Sequence, residues 1–145
     1  MKCFLWLCLA DRISTWDNLL KRGWNGPNYC VLCLTKGESV EHIFVHCSFS
    51  KNVWNLVLED LQIVGSWGHV SLSHNLENWI VKFVGFKELP IFRCWATWKY
   101  MNTIIFSDKK QNFMVLWSKI IGLYKEFHLG ERHKKLRHIS KTILS

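Results

Sequence analysis

A cluster of cysteines and histidines within residues 30–47 constrains the fold of this chain more than any other feature. Cys30 and Cys33 are separated by two residues, so one tight turn can direct both sulfurs at a single ion. His42 and Cys47 complete the spacing C-x2-C-x8-H-x4-C and could close a tetrahedron from the start of a helix. Three thiolates and one imidazole suit Zn²⁺. Because protein fills all four positions, the pattern predicts a structural zinc site rather than a catalytic one.

His46 is a competing fourth ligand, since it directly precedes Cys47. Ser39 can cap a short helix that has His42 as its third residue, and His42 and His46 would then share one helical face. We favour His42, because adjacent His46 and Cys47 would have to bend to meet one ion. His46 stays open as the alternative.

The hydrophobic pattern outside the cluster predicts helices. Only 2 Pro and 8 Gly are present, and no strand-like alternation persists beyond four or five residues. Helical spacing and capping residues predict helices near residues 4–10, 16–22, 48–61, 76–83, 89–106, 112–127 and 134–144. Ser48 or Ser50 could cap the third of these, and Gly130 is expected to separate the last two.

We therefore expect a mainly α protein, with a small helical domain organised around a Cys3His zinc loop and a helical C-terminal extension. The expected divisions are a zinc-binding domain at 1–62, a loop at 63–73, and an extension at 74–145 with a basic C-terminal segment.

Six cysteines and nine tryptophans also need assignment. The chain is not cysteine-dense enough to indicate a disulfide framework. The cysteines outside the cluster are expected in the core, at Cys3, Cys8 and Cys94. Helical apolar spacing also predicts core positions for Trp6, Trp16, Trp54, Trp79, Trp95 and Trp98. Trp24, in a turn-rich segment, is instead a candidate for stacking on a nucleic-acid base.

Positive charge is concentrated at the C-terminal end. The formal net charge is +8, and residues 108–145 contain nine Lys/Arg against three Asp/Glu, so they contribute +6 of it. Such a segment attracts polyanions, of which nucleic acid is the commonest. RNA or single-stranded DNA is the expected partner, with phosphate contacts predicted at Lys134, Lys135, Arg137 and Lys141. The alternative is that the cationic segment only keeps an aromatic-rich protein soluble.

Several functional classes are disfavoured. No apolar run approaches the roughly 18 residues that a membrane span needs, so no membrane association is expected. The apolar run from Cys3 to Ala10 could resemble a signal peptide, but its helical pattern continues downstream and favours the first helix of a core. The only adjacent carboxylates are Glu59 and Asp60, too few for a two-metal nuclease, and no nucleophile or phosphate-loop motif is present. We expect no enzymatic activity.

Two stretches carry a family resemblance: FLWLCLADRISTWDNLLKRG at 4–23, before the cysteine pair, and ESVEHIFVHCSFSKNVW at 38–54, after it. They resemble the zinc-binding domain that follows the reverse transcriptase in plant LINE-type retrotransposon polyproteins. WATWKYMNTIIF at 95–106 resembles a helix that this family often carries downstream. The resemblance implies that Cys30, Cys33, His42 and Cys47 occupy the family's ligand positions. It also implies a module that helps the polyprotein to hold its nucleic-acid template.

The chain departs from the family pattern at two informative positions. Leu34 stands where the family usually has Gly, and a Leu at positive φ there would cost on the order of 1 kcal/mol. Met101 replaces the usual Arg and removes one phosphate contact. The functional prediction is a non-catalytic, intracellular module, nuclear or cytoplasmic, that binds nucleic acid weakly and without sequence specificity. The alternative is a zinc-stapled protein-interaction module or a decayed remnant.

Overall fold

A computed structural model describes residues 2–35, 37–65, 67–68, 71–107 and 109–144. Within these ranges the secondary structure is helical and contains no strand, so the prediction of a mainly α protein is confirmed. The α-helices are α1 (Lys2–Leu9), α2 (Trp16–Lys21), α3 (Ser48–Asp60), α4 (Leu72–Lys82), α5 (Leu89–Ser107) and α6 (Phe113–Leu144). A π-helical segment (His42–His46) precedes α3, and a short 3₁₀ helix (Val84–Phe86) precedes α5.

The first helix packs into the core, as its helical pattern predicts. Phe4 and Cys8 are buried on one face of α1, one turn apart. The Phe4 ring contacts Trp95 of α5 edge-on at 5.3 Å and Phe44 of the π-helical segment at 6.4 Å. Helix α1 therefore joins the central helix to the segment that carries His42.

The prediction that Trp6 and Cys3 of α1 lie in the core is wrong. Trp6 is 63% exposed and Cys3 is also exposed. Because Phe4 and Cys8 define the buried face, Trp6 lies on the opposite side of the helix. An eight-residue helix with one packed face cannot bury both sides, and the short apolar run concealed which side faces out.

The loop predicted at 63–73 ends earlier than expected. Helix α4 begins at Leu72, and the Ser71 hydroxyl caps it by accepting from the His74 N–H at 3.2 Å. Ser66, His69 and Val70 of the predicted loop lie outside the described residues. Trp67, within it, is buried and donates its indole N–H to the carbonyl of Phe44 at 2.8 Å.

The cap of α3 also differs from expectation. Cys47 takes the N-cap position in extended geometry, and Ser48 is the first helical residue. Neither Ser48 nor Ser50 acts as the cap, because the chain turns into the helix at the cysteine itself. The first turn of α3 therefore starts directly at a predicted metal ligand.

Helix α5 is the buried centre that its all-round apolar pattern predicts. Leu89, Cys94 and Met101 are at most 1% exposed along its length. It packs against α6, where the Phe92 and Phe127 rings lie 5.5 Å apart. Helix α3 packs on α6 as well, through stacked rings of Phe49 and Phe113 at 4.6 Å.

Helix α6 is continuous, so the predicted break at Gly130 is wrong. Asn112 caps its start as predicted, accepting from the Met114 N–H at 2.9 Å. Glycine in a helix interior costs only about 1 kcal/mol relative to alanine and leaves the backbone hydrogen bonds intact, so flanking helix formers carry the helix through. The proximal part buries Leu116 and Ile120 completely, whereas nearly all side chains from residue 128 to 143 are exposed. Among the described residues, the distal half does not pack against the core.

Candidate metal centre

The structure brings the four predicted ligands together. One ligand atom from each of Cys30, Cys33, His42 and Cys47 lies within 4.8 Å of all the others. The Cys30 and Cys47 sulfurs are 3.9 Å apart, and the Cys33 sulfur is 3.3 Å from Nε2 of His42. With Zn–S near 2.3 Å and Zn–N near 2.0–2.1 Å, a tetrahedron requires edges of about 3.8 Å and about 3.6 Å. The donor set and its spacing therefore fit a four-coordinate zinc ion.

The cysteine turn is shaped by a residue with unusual backbone geometry. Leu34 has φ of 61°, and its N–H donates to the Cys30 carbonyl at 2.8 Å. A positive φ is what the sequence predicts for Leu34 at this position. The strain, on the order of 1 kcal/mol, is small against the ~10–16 kcal/mol that a structural zinc supplies.

The second pair of ligands is set by the π-helical segment. Ser39 caps the helical turn that leads into this segment, as predicted, since its hydroxyl accepts from the His42 N–H at 3.1 Å. The wide turn closes where the Cys47 N–H donates to the His42 carbonyl at 2.6 Å. His42 is thereby placed in the cluster, whereas His46 is exposed and lies outside it.

Backbone N–H groups donate hydrogen bonds to two of the sulfurs and favour their thiolate form, which binds a cation. The Cys47 sulfur accepts from the Ser50 N–H in the first turn of α3, and the Cys30 sulfur accepts from the Cys33 N–H. The hydrogen bond between the two sulfurs raises the pKa of Cys30, as does burial, and lowers the pKa of Cys47. Of these two thiols, Cys47 is the better prepared to bind as a thiolate, and zinc binding would displace a proton from Cys30.

The cysteine loop is tied to the C-terminal part of the chain. The Gln111 side-chain amide, just before α6, donates to the carbonyl of Val31, which lies between Cys30 and Cys33. The bond joins residues 80 positions apart in sequence. The start of α6 is thus anchored directly to the predicted zinc loop.

A buried carboxyl joins the cysteine loop to α2. Glu38 is 3% exposed, and its Oε1 accepts from the Trp16 N–H at 3.1 Å. It therefore supplies the N-terminal cap that Thr15 does not, because the Thr15 hydroxyl donates to Asp17 instead. Burial raises the pKa of Glu38 to about 7, and its Oε2 has no hydrogen-bond partner.

A buried guanidinium lies behind the first turn of α3. Arg93 is 1% exposed and lies over the neighbouring rings of Trp54 and Trp67, 4.7 and 4.8 Å from their centroids. Its Nη2 donates to the Ser50 hydroxyl at 3.3 Å. Burial lowers the pKa of Arg93 to about 10, an effect opposed by the Cys94 and Cys47 thiols.

Sequence reasoning missed both of these charged residues. The only available signal for Arg93 was a single charge on an otherwise apolar stretch of α5. For Glu38 no local pattern distinguished it from a surface acid.

The predicted phosphate contacts lie apart from the metal cluster, on the distal half of α6. Lys134, Lys135, Arg137 and Lys141 are all exposed. Lys134 forms an i, i+3 ion pair with Glu131 at 3.5 Å. At 100° per residue, Lys134, Arg137 and Lys141 share one face, whereas Lys135 lies a further quarter turn away.

The other residues singled out from the sequence are either exposed or buried in the core. Trp24 is 63% exposed in its loop, so its ring is accessible for stacking. Met101 is buried within α5. Cys8 and Cys94 are buried as predicted.

Comparison with known proteins identifies the N-terminal part only. Residues 1–54 match the model of a family described as zinc-binding in reverse transcriptase. The match includes all four clustered ligands and covers an accessory zinc-binding segment, not a catalytic domain. No curated protein and no solved structure matches the chain.

In the part of the chain that the structure describes, no helix combines the length and the apolar character needed to cross a bilayer.

Proposed function

We propose that this chain is a non-catalytic zinc module derived from the reverse transcriptase polyprotein of a plant LINE-type retrotransposon. In this proposal it acts in the nucleus or cytoplasm and binds nucleic acid weakly, without sequence specificity. The observation that carries the proposal is the Cys3His cluster, whose geometry fits zinc and whose residues fall within the family match.

A structural role for the metal follows from the donor set. Three thiolates and one imidazole fill a tetrahedron, so no position remains for an activated water. Cys30 and Cys47 are fully buried, which further limits access of a substrate to the ion. The zinc would instead hold together the cysteine turn, the π-helical segment and the first turn of α3.

Nucleic-acid binding is supported by charge placement. The distal half of α6 presents exposed cations at Lys134, Lys135, Arg137 and Lys141 with one acidic residue, Glu131, among them. Exposed cations on a helix contact phosphates without reading bases. We therefore expect the affinity to depend on the charge of the nucleic-acid phosphates and not on the base sequence.

The test is a salt titration of binding to single-stranded RNA and DNA oligonucleotides by fluorescence anisotropy. Four phosphate contacts on a single strand give a slope of log K against log salt of about −3. A shallow or zero slope would refute the electrostatic mechanism. Elemental analysis of the purified protein should show one equivalent of zinc.

An exposed apolar stripe on α6 favours the second candidate, a protein-interaction module. Leu129, Leu136, Ile139 and Ile143 are each more than half exposed and recur at helical spacing. Leu136, Ile139 and Ile143 lie opposite the face that carries Lys134, Arg137 and Lys141, whereas Leu129 borders that face. Absence of any oligonucleotide binding would favour this candidate.

A further inference from the structure

A groove between α5 and α6 lies outside the residues so far assigned to nucleic-acid contact. Its volume is about 380 Å³, and its lining includes Trp95, Lys99, Lys119, Gly122 and Glu126. This size falls within the range of sites that hold small organic groups. Aromatic and cationic groups thus meet in one concave surface.

The indole in this groove is held in place and partly open. Phe4 contacts Trp95 edge-on from the core side at 5.3 Å, which fixes the ring. The Lys99 ammonium lies 5.4 Å from the centre of the same ring. Lys99 is a flexible, exposed side chain, so a flat ring can replace it over the indole while its charge moves to an adjacent anion.

The groove continues along α6. A second concave surface, of about 410 Å³, includes Glu126, Gly130, Lys134 and Arg137, so the two share Glu126. Lys119 and Arg137 are 18 residues apart, which is five helical turns, and therefore project from the same side of α6. Lys141 lies about 40° from them, and the run from Lys119 to Lys141 is about 33 Å long.

We propose that this face of α6, together with the α5–α6 groove, is a binding track for single-stranded nucleic acid. A base stacks on Trp95, and the phosphate backbone follows Lys119, Arg137 and Lys141 along the helix. The proposal rests on the proposed function. It adds a defined site, a path along α6 and a preference for single strands. A duplex cannot place a base on Trp95 without unstacking it.

Gly122 forms part of the groove wall and offers a way to block the groove. A Cβ added at Gly122 meets no heavy atom within 4 Å, so the groove floor there is open. A larger side chain would occupy the groove without disturbing the core. Gly122→Leu is therefore a variant that blocks the site while keeping the net charge.

The first test compares two double variants of equal charge loss. Lys119→Gln with Arg137→Gln removes two track cations, and Lys125→Gln with Arg132→Gln removes two exposed cations more than about 120° from Lys119 around the same helix. The track variant should lower the salt slope for single-stranded RNA by about 1.4, and the off-track variant should leave it nearly unchanged. Equal losses for both would overturn the proposal.

The second test uses the groove alone. Gly122→Leu should weaken binding to a single strand about tenfold, the scale of one lost base stack. Thr142→Leu, which adds the same side chain at an exposed position about 160° from Gly122 around α6, should not. Circular dichroism checks that both variants retain helicity, and unchanged affinity of a folded Gly122→Leu protein would overturn the track.

The outcomes separate the two proposals. If the unaltered protein binds neither RNA nor single-stranded DNA, the proposed function fails. If it binds, but duplex of the same length binds as tightly as the single strand, or Gly122→Leu has no effect, only the track is wrong.

Discussion

The metal centre and the distal half of α6 are stabilised in opposite ways. At the centre, Cys30 and Cys47 are fully buried, and short segments without long regular structure are held by ligand geometry. In the distal half, backbone hydrogen bonds and local contacts within the helix, such as the Lys134–Glu131 ion pair, maintain the structure, and nearly every side chain is exposed. From this difference we expect the irregular chain to be the more rigid part when zinc organises it, and the regular helix without a partner to be marginally stable.

This contrast assigns a different sensitivity to each region. Chelation should affect the centre and leave the distal helix largely unchanged, and salt should weaken ligand binding at the distal helix without affecting the centre. Four changes test the contrast, from the largest expected effect to the smallest.

Cys33→Ser should abolish stoichiometric zinc and lower helicity, because the metal contributes on the order of 10 kcal/mol that folding shares. Elemental analysis and circular dichroism on the same sample measure both losses. Cys94→Ser is the matched control, since Cys94 is buried in α5 outside the cluster and should keep its zinc. Retention of a full equivalent of zinc in the Cys33 variant would contradict the ligand set.

Leu116→Ala should reduce the free energy of unfolding by about 2–5 kcal/mol, because Leu116 is fully buried where α6 packs on the core. Leu136→Ala, the same change at a residue 62% exposed in the distal half, should cost less than about 0.5 kcal/mol. Urea denaturation measures both. Similar costs would show that the distal half is packed against something in solution.

Glu38→Gln should stabilise the protein increasingly as pH rises. Burial raises the pKa of Glu38 from 4.5 to about 7, so the folded state favours the protonated carboxyl. Its stabilising contribution is present below about pH 4.5 and is lost as pH rises to about 7, a change of at most about 3 kcal/mol. The amide keeps the acceptor for Trp16 without the charge.

The measurement is the difference in unfolding free energy between Glu38→Gln and the unaltered protein at pH 5 and pH 8, with zinc present. Taking the difference removes the pH dependence of the metal site that both proteins share. A pH-independent difference would mean that Glu38 titrates normally in the folded state.

Gly130→Ala should stabilise the distal helix by about 0.5–1 kcal/mol, the smallest effect of the four. The added Cβ meets no atom within 4 Å, so no packing term opposes the gain. Amide hydrogen exchange of residues 128–140 should slow, while exchange in the cysteine turn stays unchanged. Slower exchange in both regions would show that they are not independent.

Local patterns predicted the metal centre well, because ligand spacing and the Ser39 cap are short-range features. The same is true of the first part of α5, where continuous apolar residues predict burial, but Ile105 and Phe106 at its C-terminal end are exposed. Prediction was wrong where tertiary packing decides. Trp6 is apolar yet faces outward because α1 packs through one face only, and the neighbours of Gly130 maintain the helix that glycine weakens.

The burial of the charged residues Glu38 and Arg93 was likewise not predictable from local sequence. A buried carboxyl at a helix start and a guanidinium over two neighbouring indoles depend on segments brought together from distant positions. No window of sequence contains both partners. Their burial could be recognised only in three dimensions.

The bond from Gln111 to the Val31 carbonyl ties the cysteine turn to the root of α6, about two turns before the groove beside Trp95. We therefore expect metal loss to displace this root and the groove, while the distal half of the helix keeps its own hydrogen bonds. A zinc-starved module would then lose its seat for a base before it loses its contacts with phosphates.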